Sequence, residues 1–383
     1  MAPTAAAAEL GTVAAQAELD SLAADWDQLV AAMPRPSPFL LHGWVTQWWR
    51  HYGGGGRLTV HVARRGGALI GALPLFRRRT RSGLDVTEFI GSFASALGDV
   101  LLRDPDDVAT ARALAERAAE AGQDLADLFG LPGGSRLAEA LGPRRLRLIE
   151  RVEAPVLDLS RGWEAVYRDK TDSKKRNLHK RRRRQLAELG TLEVTCARTL
   201  EDLEPALEDA FRLHELRWAG RPDGSGFASE VGKRFHRAAL RDLARLDVPR
   251  IVTLKLDGKA IAFHYYFVFC NRMYVHRLAF DPSLARFSPG LVNTLDALEA
   301  AAGEGATRVE YLGGGERYKL ELADGSEPLY QGLGLTGSVR GRAVVSARLG
   351  TIRLRRRLKQ SPKLKRLYFE GLAPVRRLRA KLG

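Results

Sequence analysis

Residues 280–290 read FDPSLARFSPG, and residues 308–324 read RVEYLGGGERYKLELAD. The first stretch is a sharp loop ending in Ser288-Pro289-Gly290, and it opens directly into an amphipathic run over 291–302. Pro and Gly at the head of a helix leave its first backbone N–H groups without intrahelical partners, and the helix dipole adds positive potential there. Such an end can hold a phosphate, with Arg286 beside it as a charged donor. The second stretch starts as a strand over 307–312. It passes through a glycine-rich turn at 313–315 and places Tyr318 and Lys319 just beyond. Strand, phosphate-type loop, helix and strand in that order predict a mixed α/β core with one anion-binding corner.

Working outward, a chain of 383 residues suggests two domains rather than one. No apolar run approaches the length that spans a bilayer. The opening MAPTAAAAELGTVAAQ lacks the basic start and solid apolar stretch of a signal peptide, so the cytoplasm is the expected compartment. The only cysteines, Cys196 and Cys270, are expected to be reduced and to sit as small apolar residues. The eight histidines show no HxxxH or carboxylate spacing, so no metal is expected. The net charge of +16 is concentrated in two places. Residues 340–383 hold 15 Lys and Arg against the single acid Glu370, and 174–184 hold eight Lys or Arg and no acid. Local patches of this kind suggest an anionic partner, although a solvated helix face explains either patch alone equally well.

The order of elements repeats. Strands are predicted over 58–63, 68–76, 85–90 and 98–102, a helix over 106–121, a strand over 124–129, a short helix over 135–141 and a strand over 145–151. The second half follows the same order: helices over 201–219 and 229–246, strands over 251–256, 260–269 and 273–279, then the loop, helix and strand quoted above and strands near 329–338. VHVARRGGALIGALPLF and VTLKLDGKAIAFHYYFV share strand, turn and strand at matching positions. The reading is an N-terminal domain over 1–155, a C-terminal domain over 156–338 and a basic amphipathic tail over 339–383, with a cleft between the two domains. Trp44, Trp48 and Trp49 lie at helical spacing and read mainly as core. Between the halves, DKTDSKKRNLHKRRRRQLAELG predicts a basic helix with Arg176, Lys180 and Arg184 on one face.

Taken together, these residues resemble the GNAT acyltransferase superfamily, and most closely its tandem-domain, CelD-like branch associated with cellulose biosynthesis, itself related to the Fem-type aminoacyltransferases. The resemblance covers roughly 18–335. It is carried by Pro38-Phe39 through Trp49, Leu73-Pro74-Leu75-Phe76, Lys174-Lys175-Arg176 with Asn177 and Leu178, His214 through Trp218, Phe280-Asp281-Pro282, Arg286 through Gly290, and Tyr318-Lys319. The superfamily's acyl-CoA loop has the form Arg/Gln-x-x-Gly-x-Gly/Ala. Arg286 matches it, while Pro289 and Leu291 stand at the two small-residue positions. The resemblance implies an α/β fold of two tandem GNAT-like units. It also implies acetyl-CoA or another acyl-CoA as donor, held by Arg286, Ser288, Gly290 and Leu291, and a role for Lys319 in transfer.

Acyl transfer to an amine or hydroxyl needs a positioned nucleophile, a base, and donors for the developing oxyanion. A free strand amide at 278–280 is a candidate donor. Glu310 is either a base or a surface carboxylate. Tyr318 either protonates the leaving thiolate or packs beneath the loop, and Lys319 neutralises phosphate or oxyanion. His264 and His276, on strands predicted to be adjacent, together with Arg217, Trp218 and Arg176, are candidates to grip the acceptor. The alternative for His264 is a satisfied structural histidine, and for Trp218 a place in the core. Loop 220–226 is a plausible lid.

Three functions follow. The first is an acyl-CoA-dependent N- or O-acyltransferase acting on an envelope or exopolysaccharide precursor. The second is an aminoacyl-tRNA-dependent ligase of the Fem type, and the third a non-catalytic scaffold at the membrane. In 340–383, Leu354, Leu358, Leu364, Leu367 and Tyr368 recur at helical spacing among cations, which favours contact with the anionic inner face of the plasma membrane.

Overall fold

The computed structural model describes residues 8–92, 94, 96–120, 122–219, 226–313, 317–334 and 338–360. The first half runs β1 (Glu9–Val13), α1 (Gln16–Asp20), α2 (Ala23–Ala31), α3 (His42–Tyr52), β2 (Gly56–Leu58), β3 (Val60–Arg65), β4 (Ala68–Leu73), β5 (Leu75–Arg79), β6 (Asp85–Phe89), β7 (Leu101–Leu102), α4 (Val108–Glu120), β8 (Leu125–Pro132), α5 (Arg136–Arg145) and β9 (Leu146–Asp158). The second runs α6 (Trp163–Lys170), α7 (Ser173–Ala187), β10 (Leu192–Ala197), α8 (Leu200–Trp218), α9 (Glu230–Ala244), β11 (Pro249–Leu256), β12 (Lys259–Phe269), β13 (Arg272–Phe280), α10 (Pro289–Gly303), β14 (Arg308–Glu310), α11 (Arg317–Leu322), β15 (Gly325–Gly334) and α12 (Val339–Gln360). The repeat read from the sequence is present: β5–β6–α4–β8–α5–β9 answers to β12–β13–α10–β14–α11–β15. In each half, within the large sheet, the last strand ahead of the long helix lies parallel to the strand after it, β6 to β8 and β13 to β14.

The halves do not keep separate sheets. Among the described residues, one 11-stranded sheet runs β10-β11-β12-β13-β14-β9-β15-β8-β6-β5-β2. Strand β9, the last of the first half, pairs with β14 and β15 and with no strand of its own half. Strand β15, the last of the second half, pairs with β8 as well as with β9. The halves have exchanged their final strands. An edge at β8 or β14 would expose unpaired backbone groups, and each is covered by the other half's strand. The expected boundary at 155 therefore falls inside the unbroken strand Leu146–Asp158.

The expected strand over 68–76 breaks at Pro74, between β4 and β5. Proline has no N–H for the ladder and tolerates only an edge or a break. Strand β4 joins a small sheet of order β1-β3-β4-β7, while β5 stays in the large one.

The expected cleft between the halves is filled. One apolar cluster contains Trp26, Phe39, Trp44 and Trp48 from the first half and Phe211, Phe235, Phe263, Tyr265 and Phe267 from the second. Helix α3 drives Trp44 edge-on into Phe235 and Phe267, with centroids 4.8 and 5.6 Å away. Gly43 makes this approach possible, since a Cβ there would stand 2.7 Å from Cβ of Asp242. Gln47 Nε2 donates to Asp242 at 2.7 Å, and the Tyr274 hydroxyl donates to the Pro36 carbonyl at 2.6 Å. Burying three large aromatic side chains here contributes several kcal/mol, at about 25 cal/mol per Å² removed from water.

Helix α12 lies against β8 and β15, with Val344, Val345 and Leu349 packed on Leu333, Val86 and Leu125. Arg340 and Arg348 pair with Asp124 and Asp127 at 3.8 and 3.7 Å. The first part of the tail thus turns an apolar face to the protein; residues 361–383 lie outside the described residues. Among the described residues, no helix is long and apolar enough to cross a membrane. Cys196 and Cys270 are free, as expected, and both are exposed, since one lies on the edge strand β10 and the other in the turn between β12 and β13.

Candidate active site

Strand β13 pairs with β12 along its length but with β14 only over Arg272–Tyr274. Beyond that point the two parallel strands part. The Asp281 amide donates to Ile261 on the β12 side at 2.8 Å. Strand amides alternate sides, so those of Leu278 and Phe280 face the gap. These are the strand donors expected at 278–280.

At the far end of the gap stands the head of α10. A two-turn 3₁₀ segment over Pro282–Phe287, capped by the Asp281 carboxylate on the Ser283 amide, leads to Ser288 at φ 55° and then to Pro289 as the first helical residue. The amides of Leu291 and Val292 both return to the Ser288 carbonyl, at 3.0 and 3.2 Å. Pro289 has no N–H, so the Gly290 amide is the one donor of this turn without a backbone partner. The corner offers a single amide where a full set was expected. Gly290 also has a packing reason to lack a side chain: a Cβ would meet the Phe280 ring at 2.7 Å. Arg286 is exposed and lies 4.5 Å over the Phe287 ring, in the loop that leads to this amide.

Lys319 is buried on α11, and its Nζ donates to the Gly313 carbonyl at 2.6 Å. His264, on β12, is wholly buried on the α10 side of the sheet, in register with Leu278. Neither of its ring nitrogens has a partner. Burial, with the Lys319 charge adding to it, pushes its pKa down to about 3, so the ring is neutral at ordinary pH. Tyr318 belongs to the same helical turn as Lys319; its side chain lies outside the described residues, as do 314–316.

Glu310 is no base. It has no solvent exposure and meets Arg35 at 2.6 Å, Arg308 at 2.8 Å and Arg272 at 3.2 Å. Burial pushes its pKa up, and the Arg35 and Arg308 guanidiniums more than reverse this, leaving it below the ordinary value. It is the hub of an ion cluster that ties residue 35 to β14. Arg176 is likewise committed. It folds back on the Thr171 and Arg168 carbonyls and closes the α6–α7 junction, because α6 ends there with unmatched carbonyls.

His264 and His276 do not converge. The β12–β13 register slips by one residue between Tyr265 and Tyr266, and His276 is the extra residue. A bulge re-aims side chains. His276 therefore faces α3, α8 and α9, packed against Trp44, Phe227, His236, Tyr265 and Phe267. The next residue, Arg277, pairs with Tyr265 and shares that face. Sequence reasoning missed Arg277. The signal was there: two consecutive polar residues in an otherwise apolar strand imply a bulge. Nearby, Trp218 is half-buried and stacks on His214 at 5.7 Å. Exposed Arg217 reaches round the end of β13 to lie 5.5 Å over Phe280. Loop residues 220–225, most of the expected lid, lie outside the described residues.

Residues 173–320 match the acetyltransferase (GNAT) domain family. The matched stretch runs from α7 to α11 and contains the gap, the loop, Lys319 and both histidines. No curated protein matches the chain. In fold, the chain is similar to FemX, with a TM-score of 0.56 at 12% identity, covering 84% of this chain and 96% of that one. It is also similar to the C-terminal domain (DUF2156) of a protein described as a lysylphosphatidylglycerol synthetase from Agrobacterium fabrum, with a TM-score of 0.54 at 13% identity over 88% and 97% of the two chains. L-PGS from Bacillus licheniformis gives 0.50 at 13%, over 80% and 95%. At these identities the likeness concerns the GNAT-type fold alone.

Proposed function

We propose that the chain is an acyltransferase that takes an acyl-CoA between β13 and β14 and passes the acyl group to an amine or hydroxyl. The observation that carries this reading is the run of β13 left unpaired on its β14 side, with the Leu278 and Phe280 amides facing the gap that leads to the head of α10. An acceptor N–H or O–H attacks the thioester carbonyl. The new C–N or C–O bond forms and an oxyanion develops, opposite a strand amide and the Lys319 charge. The C–S bond then breaks, and the thiolate takes up the proton that the acceptor gives up. A neutral His264, with both nitrogens open, is a hydrogen-bonding partner on this route rather than a base. A CelD-like enzyme modifying an envelope or exopolysaccharide precursor, in the cytoplasm or at the membrane face, is the form the sequence resemblance supports.

A second reading, an aminoacyl-tRNA ligase of the Fem type, has its own support. On α7, Lys174, Lys180, Arg181 and Arg182 make no ion pair among the described residues, so a row of cations is open to a nucleic-acid backbone. Calorimetric titration with acetyl-CoA and with charged tRNA separates the two. In the acyl-CoA reading, Arg286→Ala weakens acetyl-CoA binding by about 1.5–3 kcal/mol, the worth of a charged phosphate contact. An unchanged dissociation constant removes Arg286 from the donor site.

A further inference from the structure

Arg277 is half-buried and has no carboxylate partner among the described residues. The hydrogen bond described for its guanidinium runs from Nη1 to the carbonyl of its own neighbour His276, at 2.8 Å. On the nearby helix α9, the more exposed Arg237 and Arg241 pair with Glu208 and Glu204. The groups around Arg277 are aromatic or neutral. Tyr52 and Tyr265 lie close enough for their phenol oxygens to influence it, and His214, His236 and His276 all feel its charge. Burial first and the Arg277 charge second hold these three imidazoles neutral, with His214 down to about 4. Three polar atoms here are buried without a partner: the Tyr265 hydroxyl, His236 Nδ1 and His276 Nε2. Buried polar groups are nearly always hydrogen-bonded, and a desolvated cation is costly without a counter-charge. A desolvated guanidinium beside neutral hydrogen-bonding groups is suited to receive an anion.

We propose that Arg277 binds the carboxylate of the acyl acceptor, with the neighbouring tyrosine and histidines completing its hydrogen bonds. This rests on the acyltransferase reading and adds the acceptor's chemical class. The charge count favours carboxylate over phosphate: one cation matches a monoanion, whereas a phosphate monoester near pH 7 carries about 1.5 to 2 charges. The planar fork of a guanidinium also matches two carboxylate oxygens. The walls, Trp218 on His214 with Phe227 beside them, suit an apolar or aromatic remainder of the acceptor. The bulge that turns both His276 and Arg277 to this face is what builds the site.

The test uses the full chain with no acyl donor present. Acetate and acetamide, phenylacetate and phenylacetamide, and inorganic phosphate are titrated against wild type, Arg277→Met and Arg277→Lys by ligand-observed NMR. In the wild type each carboxylate should bind at least about tenfold more tightly than its amide, the ratio a charged hydrogen bond supplies. Arg277→Met should erase that ratio, and Arg277→Lys should keep part of it, since an ammonium retains the charge without the fork. Arg277→Lys alone decides the matter if Arg277→Met does not fold. An absent preference in the wild type, a preference that survives both substitutions, or phosphate binding more tightly than either carboxylate overturns the proposal. Acetyl-CoA titrated into the same samples keeps the two ideas apart. Carboxylate binding without acetyl-CoA binding removes the donor reading and leaves this site standing, and the reverse outcome removes this site alone.

Discussion

Lys319→Met should lower the acyl-transfer rate about a hundredfold or more, the usual loss when one preorganised oxyanion donor is removed. The side chain is buried on α11 next to the gap, and its charge is felt by His264 on the neighbouring strand. Its bond to the Gly313 carbonyl holds the turn that follows β14, where Leu312 takes a φ of 63°. Part of any effect could therefore pass through that turn. Two measurements separate the contributions. The substitution should reduce kcat with little change in the acetyl-CoA dissociation constant, and Lys319→Arg should restore some of the rate. A variant that turns over at the wild-type rate on the true acceptor ends the catalytic role of Lys319.

Glu310→Ala should cost about 3–5 kcal/mol of stability, because it strands the buried Arg35 and the half-buried Arg272 and Arg308, which no other described carboxylate neutralises fully. Arg35 and Arg308 retain partial contact with Glu327, which is 44% exposed and a weaker partner; Arg272 retains none among the described carboxylates. Denaturant unfolding, read as a midpoint shift at unchanged slope, measures this. The pH dependence has a definite sign. Folding holds the Glu310 pKa below its ordinary value, so the unfolded chain binds the proton more readily over that interval. The stabilisation is complete above the unfolded pKa of about 4.3 and is lost as pH falls through the folded value. Wild type should therefore lose stability in acid more steeply than the variant. Equal acid sensitivity of the two proteins would show that the cluster contributes nothing.

Much of the fold was legible because it is written in local pattern. The turn pairs Arg64 to Gly67 and Asp257-Gly258, the apolar alternation of β12 and β13, and the Pro-Gly head of α10 are all readable within a few residues. Trp44 and Trp48 read as core and are core. The exchange of β9 and β15 was not legible. Both strands carry ordinary strand sequences, and which partner they choose depends on edges 150 or more residues away. The α11 turn was missed because RYKLEL is too short to show a helical period. At the site, the loop and Lys319 were singled out from motif order and the family resemblance. Glu310 was misread because its three arginines come from residues 35, 272 and 308, which no local window joins. His276 and Arg277 depended on a one-residue slip that only the pairing register reveals.

The exchanged strands also shape how the chain must be made. When a ribosome has released the first half, β9 has no partner on either side, because both of its neighbours, β14 and β15, are still to be synthesised. The edge of β8 likewise waits for residues 325–334. Helix α3 meanwhile offers Trp44 to a surface of α9 and β12 that does not yet exist. The nascent first half is thus a template with open edges and bare indoles, the state in which chains aggregate or recruit chaperones. Pairings this distant in sequence are slow to form, since loop closure must precede any reward. Each half is the other's last folding step, and the protein becomes stable as one body or not at all.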